Sequence, residues 1–130
     1  MQLEGRIPLV DELAQKLGIP VVDIKPVDRF YPYYVTKTGI VLRVRKVGFR
    51  ILKHWHTNAG HCQVELCVNG ICKRFYIHHL VLVHFKGPRL RDMQARHLDG
   101  DTTNNHADNL VWGTAAENRS EEHTSELQSH

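Results

Sequence analysis

Residues 61–77 place the tightest constraint on the fold, because they read as two strands joined by a two-residue turn. The stretches "HCQVELCV" and "ICKRFYI" each alternate apolar and polar residues, and Asn69-Gly70 lies between them. An Asn-Gly pair suits a type I′ turn, in which both central residues need a positive φ. The turn fixes the register and places Glu65 opposite Arg74. The segment therefore predicts an antiparallel hairpin.

The three cysteines do not predict a disulfide framework. Cys62, Cys67 and Cys72 are odd in number and contain no C-x-x-C pair, which also argues against a cysteine-rich zinc knuckle. The hairpin register brings Cys67 opposite Cys72, and this pair could bridge under oxidation. We expect reduced thiols, because disulfides are rare in the cytoplasm.

Shorter elements are predicted on both sides of this hairpin. "IPLVDELAQKLGIP" has helical spacing of its apolar residues and ends at Gly18. "PVVDIKPVDRFYP" is too rich in proline to supply the recognition helix of a helix-turn-helix. "YYVTKTGIVLRVRK" predicts a second hairpin, with Leu42 and Val44 on one face, and "HHLVLVHFKGP" predicts a short helix. The pattern indicates an α+β protein.

Composition is that of one small globular unit with a basic bias. The chain has 130 residues, of which 42% are hydrophobic and 24% charged, with a net charge of +3. Residues 119–130, "RSEEHTSELQSH", read like a translated sequencing-library adapter, and we exclude them from the fold prediction. The rest carries 16 basic and 11 acidic residues, a net charge of +5, which suits a partner rich in phosphate.

Neither a signal-peptide pattern nor an apolar run of about 20 residues is found, so we expect no membrane contact and a cytoplasmic protein.

Residues 96–118, "RHLDGDTTNNHADNLVWGTAAEN", carry the candidate chemistry. "MQARHL" and "LVWGT" predict two strands on either side of a long polar loop, which Asn104, Asn105 and Asn109 can hold by bonding its backbone. Thr114 and Glu117 form a T-x-x-E capping box that predicts a helix start. The result is a compact β-loop-β-α unit.

This unit resembles the HNH nuclease motif, also called the ββα-metal or His-Me finger. The resemblance runs through His97, Asp99-Gly100, Asn104-Asn105, Asn109-Leu110, Trp112, Thr114 and Glu117-Asn118. Upstream, "YYVTKTGIVLRV" and "IHHLVLVHF" are similar to the module that accompanies HNH in phage and intron homing endonucleases. The resemblance covers about residues 30–118. It implies small hairpins and short helices followed by a ββα-metal motif.

Four segments follow as expected domains. They are an N-terminal helical segment (1–22), a homing-endonuclease-associated β module (23–60), the HNH nuclease domain (61–118) and the adapter-like tail (119–130, expected to be disordered).

The resemblance implies metal-dependent hydrolysis of DNA phosphodiester bonds. His97 would take a proton from the attacking water as general base, and Asn109 would orient it. One divalent ion, Mg²⁺ or Mn²⁺, would be held by oxygen ligands that include Asn118 and Asp99, and we expect no zinc. The expected enzyme is therefore an HNH endonuclease in the cytoplasm of a bacterial or phage-infected cell.

One position departs from the family pattern. Relatives often place Asp, a second metal ligand, directly before the motif histidine, where this chain has Arg96. An arginine cannot bind Mg²⁺, although its guanidinium can clamp a phosphate oxygen. Either Asp99 or a further residue completes the metal shell, or the site cuts slowly. The alternative function is a catalytically impaired HNH-fold module that binds DNA without cutting it.

The expected partner is double-stranded DNA, with no oligomer required. Its phosphates would be contacted by basic residues that follow one another on strands and turns: Arg43, Arg45, Lys46, Arg50, Lys53, Arg89, Arg91 and Arg96. A solvated charged face is the alternative for such a run. Nothing in it predicts a target sequence, or nicking rather than double-strand cleavage.

The histidines around Trp55 are a separate question. His54, His56 and His61 fit no tetrahedral zinc spacing, so we expect exposed or DNA-facing side chains. His78 matches a position that the family also fills with His, and we expect it to pack or cap at the start of its helix.

Overall fold

The computed structural model describes residues 8–46 and 48–114, and confirms the α+β class. Its helices are α1 (Pro8–Leu17) and α2 (Ile77–Phe85). Its strands are β1 (Ile24–Pro26), β2 (Tyr33–Thr36), β3 (Val41–Val44), β4 (Phe49–Ile51), β5 (Trp55–His56), β6 (Cys62–Val68), β7 (Ile71–Tyr76), β8 (Met93–His97) and β9 (Leu110–Thr114). Single 3-10 turns cover Val21–Asp23 and Ala107–Asn109.

The first sheet is antiparallel, in the order β1-β2-β3-β4. Both of its faces are covered, which is why β2 is buried along its whole length. Leu42 and Val44 pack on α1 through Leu13 and Ala14, so the amphipathic helix buries its apolar stripe as the sequence predicted. The segment after α1 contains a 3-10 turn and a strand, in agreement with the rejection of a helix-turn-helix.

The second sheet has the order β5-β6-β7, and its β6-β7 hairpin has the predicted register. Asn69 and Gly70 have φ values of 54° and 79°, as a type I′ turn requires. The expectation of reduced thiols was wrong in one respect: Cys67 and Cys72, opposite each other in the hairpin, form a disulfide. Cys62 is free and buried.

One hydrophobic core joins the two sheets, α2 and the β8-β9 unit. From the first sheet come Val35 and Val41, and from the second come Val64 and Leu66. α2 adds Ile77, Leu80, Val81 and Leu82, and the candidate site adds Ala107 and Leu110. The hydroxyl of Tyr33 also bonds both the N–H and the C=O of Cys67, at 3.0 and 3.2 Å. The candidate site is therefore built onto this shared core.

β8 and β9 form the predicted two-stranded antiparallel pair, in which His97 faces Leu110. The expected helix start at Glu117-Asn118 and the tail at 119–130 lie outside the described residues. The domain boundaries stay predictions, although β5 pairs with β6 across residue 60. None of the helices described is long and apolar enough to cross a membrane.

Candidate active site

His97 lies at the end of β8, half-buried, where the polar loop begins. Its Nε2 is 3.0 Å from the side-chain oxygen of Asn105, which is 6% exposed. An amide oxygen can only accept a hydrogen bond, so Nε2 carries the proton in this arrangement. The lone pair of the neutral ring then lies on Nδ1. In a general base, the hydrogen bond made by one ring nitrogen decides in this way which nitrogen can accept a proton.

Asn109 ties the two ends of the loop together. Its side-chain oxygen accepts the N–H of Asp99 at 3.0 Å, and its amide donates to Asp99 Oδ1 and to the C=O of Asn104, both at 2.9 Å. The backbone closes the same gap, because the N–H of Leu98 donates to the C=O of Asn109 at 2.8 Å. Asn109 thereby fixes the chain directly after His97.

Asp99 braces the turn that follows. Both of its oxygens accept hydrogen bonds, from the Asn104 amide at 2.8 Å, from the Asp101 N–H at 2.8 Å and from Asn109. These bonds, with that of Asn104 the largest, lower the pKa of the Asp99 carboxyl group. Hydrogen bonds from Thr103 likewise lower the pKa of Asp101. Both carboxylates are exposed and ionised at neutral pH.

The loop is anchored on the earlier sheets at two carbonyl groups. The N–H of Ala107 donates to the C=O of Lys37 at 2.8 Å, and the hydroxyl of Thr102 donates to the C=O of Gly60 at 2.8 Å. Gly39, in the β2-β3 turn, approaches the loop so closely that a Cβ there would lie 3.0 Å from Asn105 Cβ. The position of Asn105 therefore depends on residues far away in the sequence.

Two further imidazoles contact His97. The His78 ring lies 5.0 Å from it edge to face, and the His61 ring is stacked at 5.9 Å. Burial, followed by the neighbouring imidazoles, lowers the pKa of His78 to about 3. Burial and then His97 lower the pKa of His61. Both neighbours are therefore neutral at neutral pH and add no positive charge beside His97.

The structure brings together some of the sequence-predicted site residues. His97, Asp99 and Asn109 lie at the two ends of one loop, with Arg96 directly before His97 on β8. The side chain bonded to His97 is that of Asn105, while the side-chain bonds of Asn109 go to Asp99 and Asn104. The predicted ligand Asn118 lies outside the described residues.

The predicted DNA contacts fall into separate groups. Arg43 and Arg50 are direct cross-strand partners on β3 and β4, so their side chains share a face. Arg43 also lies over the Tyr33 ring, with its guanidinium carbon 5.8 Å from the ring centre. Exposed cations follow each strand or precede β8: Arg45, Lys46, Lys53, Arg89 and Arg91. Arg96 is half-buried.

Sequence reasoning missed the partners of His97 that come from other elements. Asn105 was assigned only to the loop, and His61 was expected to be exposed or DNA-facing, whereas it is half-buried against His97. His78 packs at the start of α2 as expected, buried to 5% exposure. The spacing of these residues follows no period, so no local pattern could have brought them together.

Comparisons with known proteins agree with this architecture. Residues 75–120 match the family model described as HNH endonuclease. Over 82 residues the chain is 33% identical to the DNA endonuclease I-HmuI of Bacillus phage SP01. These residues are 63% of this chain and 46% of that protein. The chain thus spans about half the length of this relative.

A solved structure titled "DNA binding and cleavage by the HNH homing endonuclease I-HmuI" matches the fold with a TM-score of 0.70 and 30% identity. The match covers 82% of this chain and 64% of that one. Because the family model covers the whole loop from His97 to Asn109, the sequence-based resemblance is confirmed. Through residues 75–120 and through its fold, this chain is similar to the HNH homing endonucleases.

Proposed function

We propose that the protein is a divalent-metal-dependent endonuclease that hydrolyses phosphodiester bonds of double-stranded DNA, with His97 as the general base. The observation that carries the proposal is the placement of His97. It is half-buried at the mouth of the loop, held through one nitrogen by Asn105, and surrounded by neutral imidazoles. The family match over the same residues supports the reaction class.

His97 would accept a proton from the attacking water through Nδ1. Because Asn105 holds the protonated Nε2, the ring can take up this proton without changing its tautomer or its orientation. Asn109 is a positioning residue: it fixes the backbone after His97 and closes the loop. A base placed in this way contributes about 10²- to 10⁴-fold to rate.

The residues near His97 fit a hard divalent cation. Asp99 is exposed and ionised. Its Oδ1 accepts two loop hydrogen bonds, whereas its Oδ2 accepts that of the Asn104 amide and keeps a second lone pair for a cation. We propose that Asp99 and Asn118 hold Mg²⁺ or Mn²⁺, since carboxylate and amide oxygens are the donors such ions prefer. When bound, the ion supplies stabilisation of the negative charge on the phosphate and the leaving oxygen.

The DNA would lie against the basic residues. We propose that Arg43 and Arg50 contact one backbone segment from β3 and β4, with Arg45, Lys46 and Lys53 beside them. Arg89, Arg91 and Arg96 would contact phosphates closer to His97. Contacts of this kind carry no sequence information and weaken as the salt concentration rises.

The test is nicking of a supercoiled plasmid with Mg²⁺ and then with Mn²⁺, for the parent chain, for His97→Ala and for a control, His84→Ala. His84 is also half-buried, but its ring bonds the backbone of Asp28 and Leu80. We expect nicking that chelator abolishes, that falls about 10²- to 10⁴-fold in His97→Ala and that survives in His84→Ala. Equal nicking by the parent and His97→Ala would refute the assignment of the base.

Arg96 favours the second candidate, an HNH-fold module that binds DNA without cutting it, because a cation stands where relatives often have a metal ligand. A gel shift of the plasmid at low salt, without nicking in either metal, would support the module. Nicking restored by Arg96→Asp alone would identify Arg96 as the cause of the inactivity.

A further inference from the structure

A second cluster of metal-ligating side chains lies in the second sheet, where β5 pairs with β6. It consists of His54, His56 and Cys62, whose ligand atoms all lie within 4.8 Å of one another. The rings of His54 and His56 meet edge to face at 5.6 Å. None of the three belongs to the loop that carries His97.

The arrangement follows from strand geometry. His56 on β5 is the direct cross-strand partner of Cys62 on β6, and directly opposite residues point to the same face. His54 precedes His56 by two residues, so strand alternation places it on that face too. Trp55 points the other way, where its Nε1 donates to the side chain of Gln63 at 3.1 Å. The hairpin therefore gathers the three donors and no other side chain of β5.

From these positions we propose that His54, His56 and Cys62 bind a transition-metal ion of the Zn²⁺ class, with water in the fourth position. Two imidazoles and one thiolate are the donor set that Zn²⁺ and Co²⁺ favour, whereas Mg²⁺ prefers oxygen. This site differs in chemistry from the oxygen-lined site at His97, and it does not depend on the proposed nuclease activity. The proposal departs from the sequence-based expectation of no zinc.

The site needs only a small closure to accept the ion. Zinc–nitrogen and zinc–sulfur bonds of about 2.0 and 2.3 Å in a tetrahedron put ligand atoms about 3.3 to 3.6 Å apart. His54 and His56 are exposed, so their rings can rotate toward the sulfur without disturbing the core. Cys62 is 2% exposed and fixed at the start of β6. Two mobile ligands would thus close on one rigid ligand.

Asn105, a neighbour of Cys62, partly offsets the cost of forming a thiolate at this buried position. Burial raises the pKa of the Cys62 thiol, while a hydrogen bond with the Asn105 side chain acts in the opposite direction. Metal binding would displace the thiol proton and leave a thiolate that Asn105 can stabilise. The side-chain oxygen of Asn105 contacts His97 at 3.0 Å, so this residue would join the new site to the candidate base.

The test is binding of Zn²⁺, followed by Co²⁺ spectroscopy, on the full chain with the Cys67–Cys72 disulfide intact. Under these conditions Cys62 is the one thiol left among three cysteines. We expect one ion per chain, release of a proton on binding, and sulfur-to-cobalt charge-transfer absorption in the near ultraviolet.

Two variants assign the ligands, and two others serve as controls. His54→Ala/His56→Ala changes exposed residues only, and it should lose saturable binding while remaining folded. Cys62→Ser should lose the charge-transfer absorption. Trp55→Phe alters the same strand on its opposite face and should keep both signals, as should His97→Ala. Unchanged stoichiometry in the double histidine variant, or cobalt binding without sulfur absorption in the parent, would overturn the proposal.

Discussion

Replacing Gly39 by alanine should disturb the polar loop that follows His97, although Gly39 lies more than sixty residues before Asn105 in the sequence. Gly39 has a φ of 97°, and a Cβ there would lie 3.0 Å from Asn105 Cβ and 3.1 Å from the backbone oxygen of Asn105. Alanine therefore meets two costs, an unfavourable φ and a contact with a side chain and backbone that the core holds in place.

A matched variant, Gly70→Ala, separates the cost of the unfavourable φ from the cost of the contact with Asn105. Gly70 has a φ of 79° and nothing within 4 Å of the Cβ position, so Gly70→Ala meets the first cost alone, about 1–2 kcal/mol. Gly39→Ala adds about 1–3 kcal/mol for overpacking, which gives about 2–5 kcal/mol in total. At about 4 °C per kcal/mol, the melting temperature should fall by about 8–20 °C, against about 4–8 °C for Gly70→Ala.

Activity should separate the two variants further, at a temperature where both remain folded. A shift of Asn105 moves the partner of His97, and displacements approaching 1 Å in a catalytic group cost up to about 10²-fold in rate. We expect plasmid nicking to fall by about 10- to 100-fold in Gly39→Ala and to be retained in Gly70→Ala. Equal losses of melting temperature and of rate in the two variants would refute the contact with Asn105 as the cause.

Three further predictions concern the same region. Asn109→Ala removes three side-chain hydrogen bonds and should lower the free energy of unfolding in urea by about 1–3 kcal/mol; a change as small as that of the exposed Thr103→Ala would contradict it. The pKa of Asp99 is lowered in the folded protein, so its stabilising contribution is present above its ordinary value near 3.9 and is lost as the pH falls below that. Asp99→Asn should therefore flatten the acid limb of melting temperature against pH, and parallel curves would argue against it. The lowered pKa of His78 also makes stability depend on pH. Between about pH 6.5 and about pH 3 the unfolded chain binds a proton on this imidazole that the folded protein does not bind. The melting temperature should therefore decline as the pH falls through this range, and it should decline less steeply in His78→Phe.

Local patterns were sufficient to predict the longer elements, but not the short strands β1, β4 and β5. The Asn69-Gly70 hairpin, the strand ending at His97 and the helix before Gly87 all agree with the structure, because turn chemistry and apolar spacing act within a few residues. The polar loop was also predicted correctly, since closely spaced asparagines have little to bond except its backbone.

Contacts between elements could not be predicted in the same way. Asn105 bonds His97 because the polar loop folds back over Gly39. His61 directly precedes β6, and its ring contacts that of His97. The hairpin register predicted that Cys67 lies opposite Cys72. Because disulfides are rare in the cytoplasm, we expected reduced thiols, whereas the structure contains a disulfide between them. Tertiary packing decides such cases, and a single sequence does not encode it in any spacing.

The hydrogen bonds from the polar loop to the carbonyl groups of Lys37 and Gly60 also limit whether the HNH motif could fold outside this chain. The family match begins at residue 75, yet the loop is tied to Lys37 and Gly60, and Leu110 is buried against residues of both earlier sheets. A fragment cut at residue 75 would keep every motif residue while exposing that apolar face. Transfer of this loop to another scaffold would therefore have to include the upstream sheets, with the junction placed before β2 rather than at the edge of the motif.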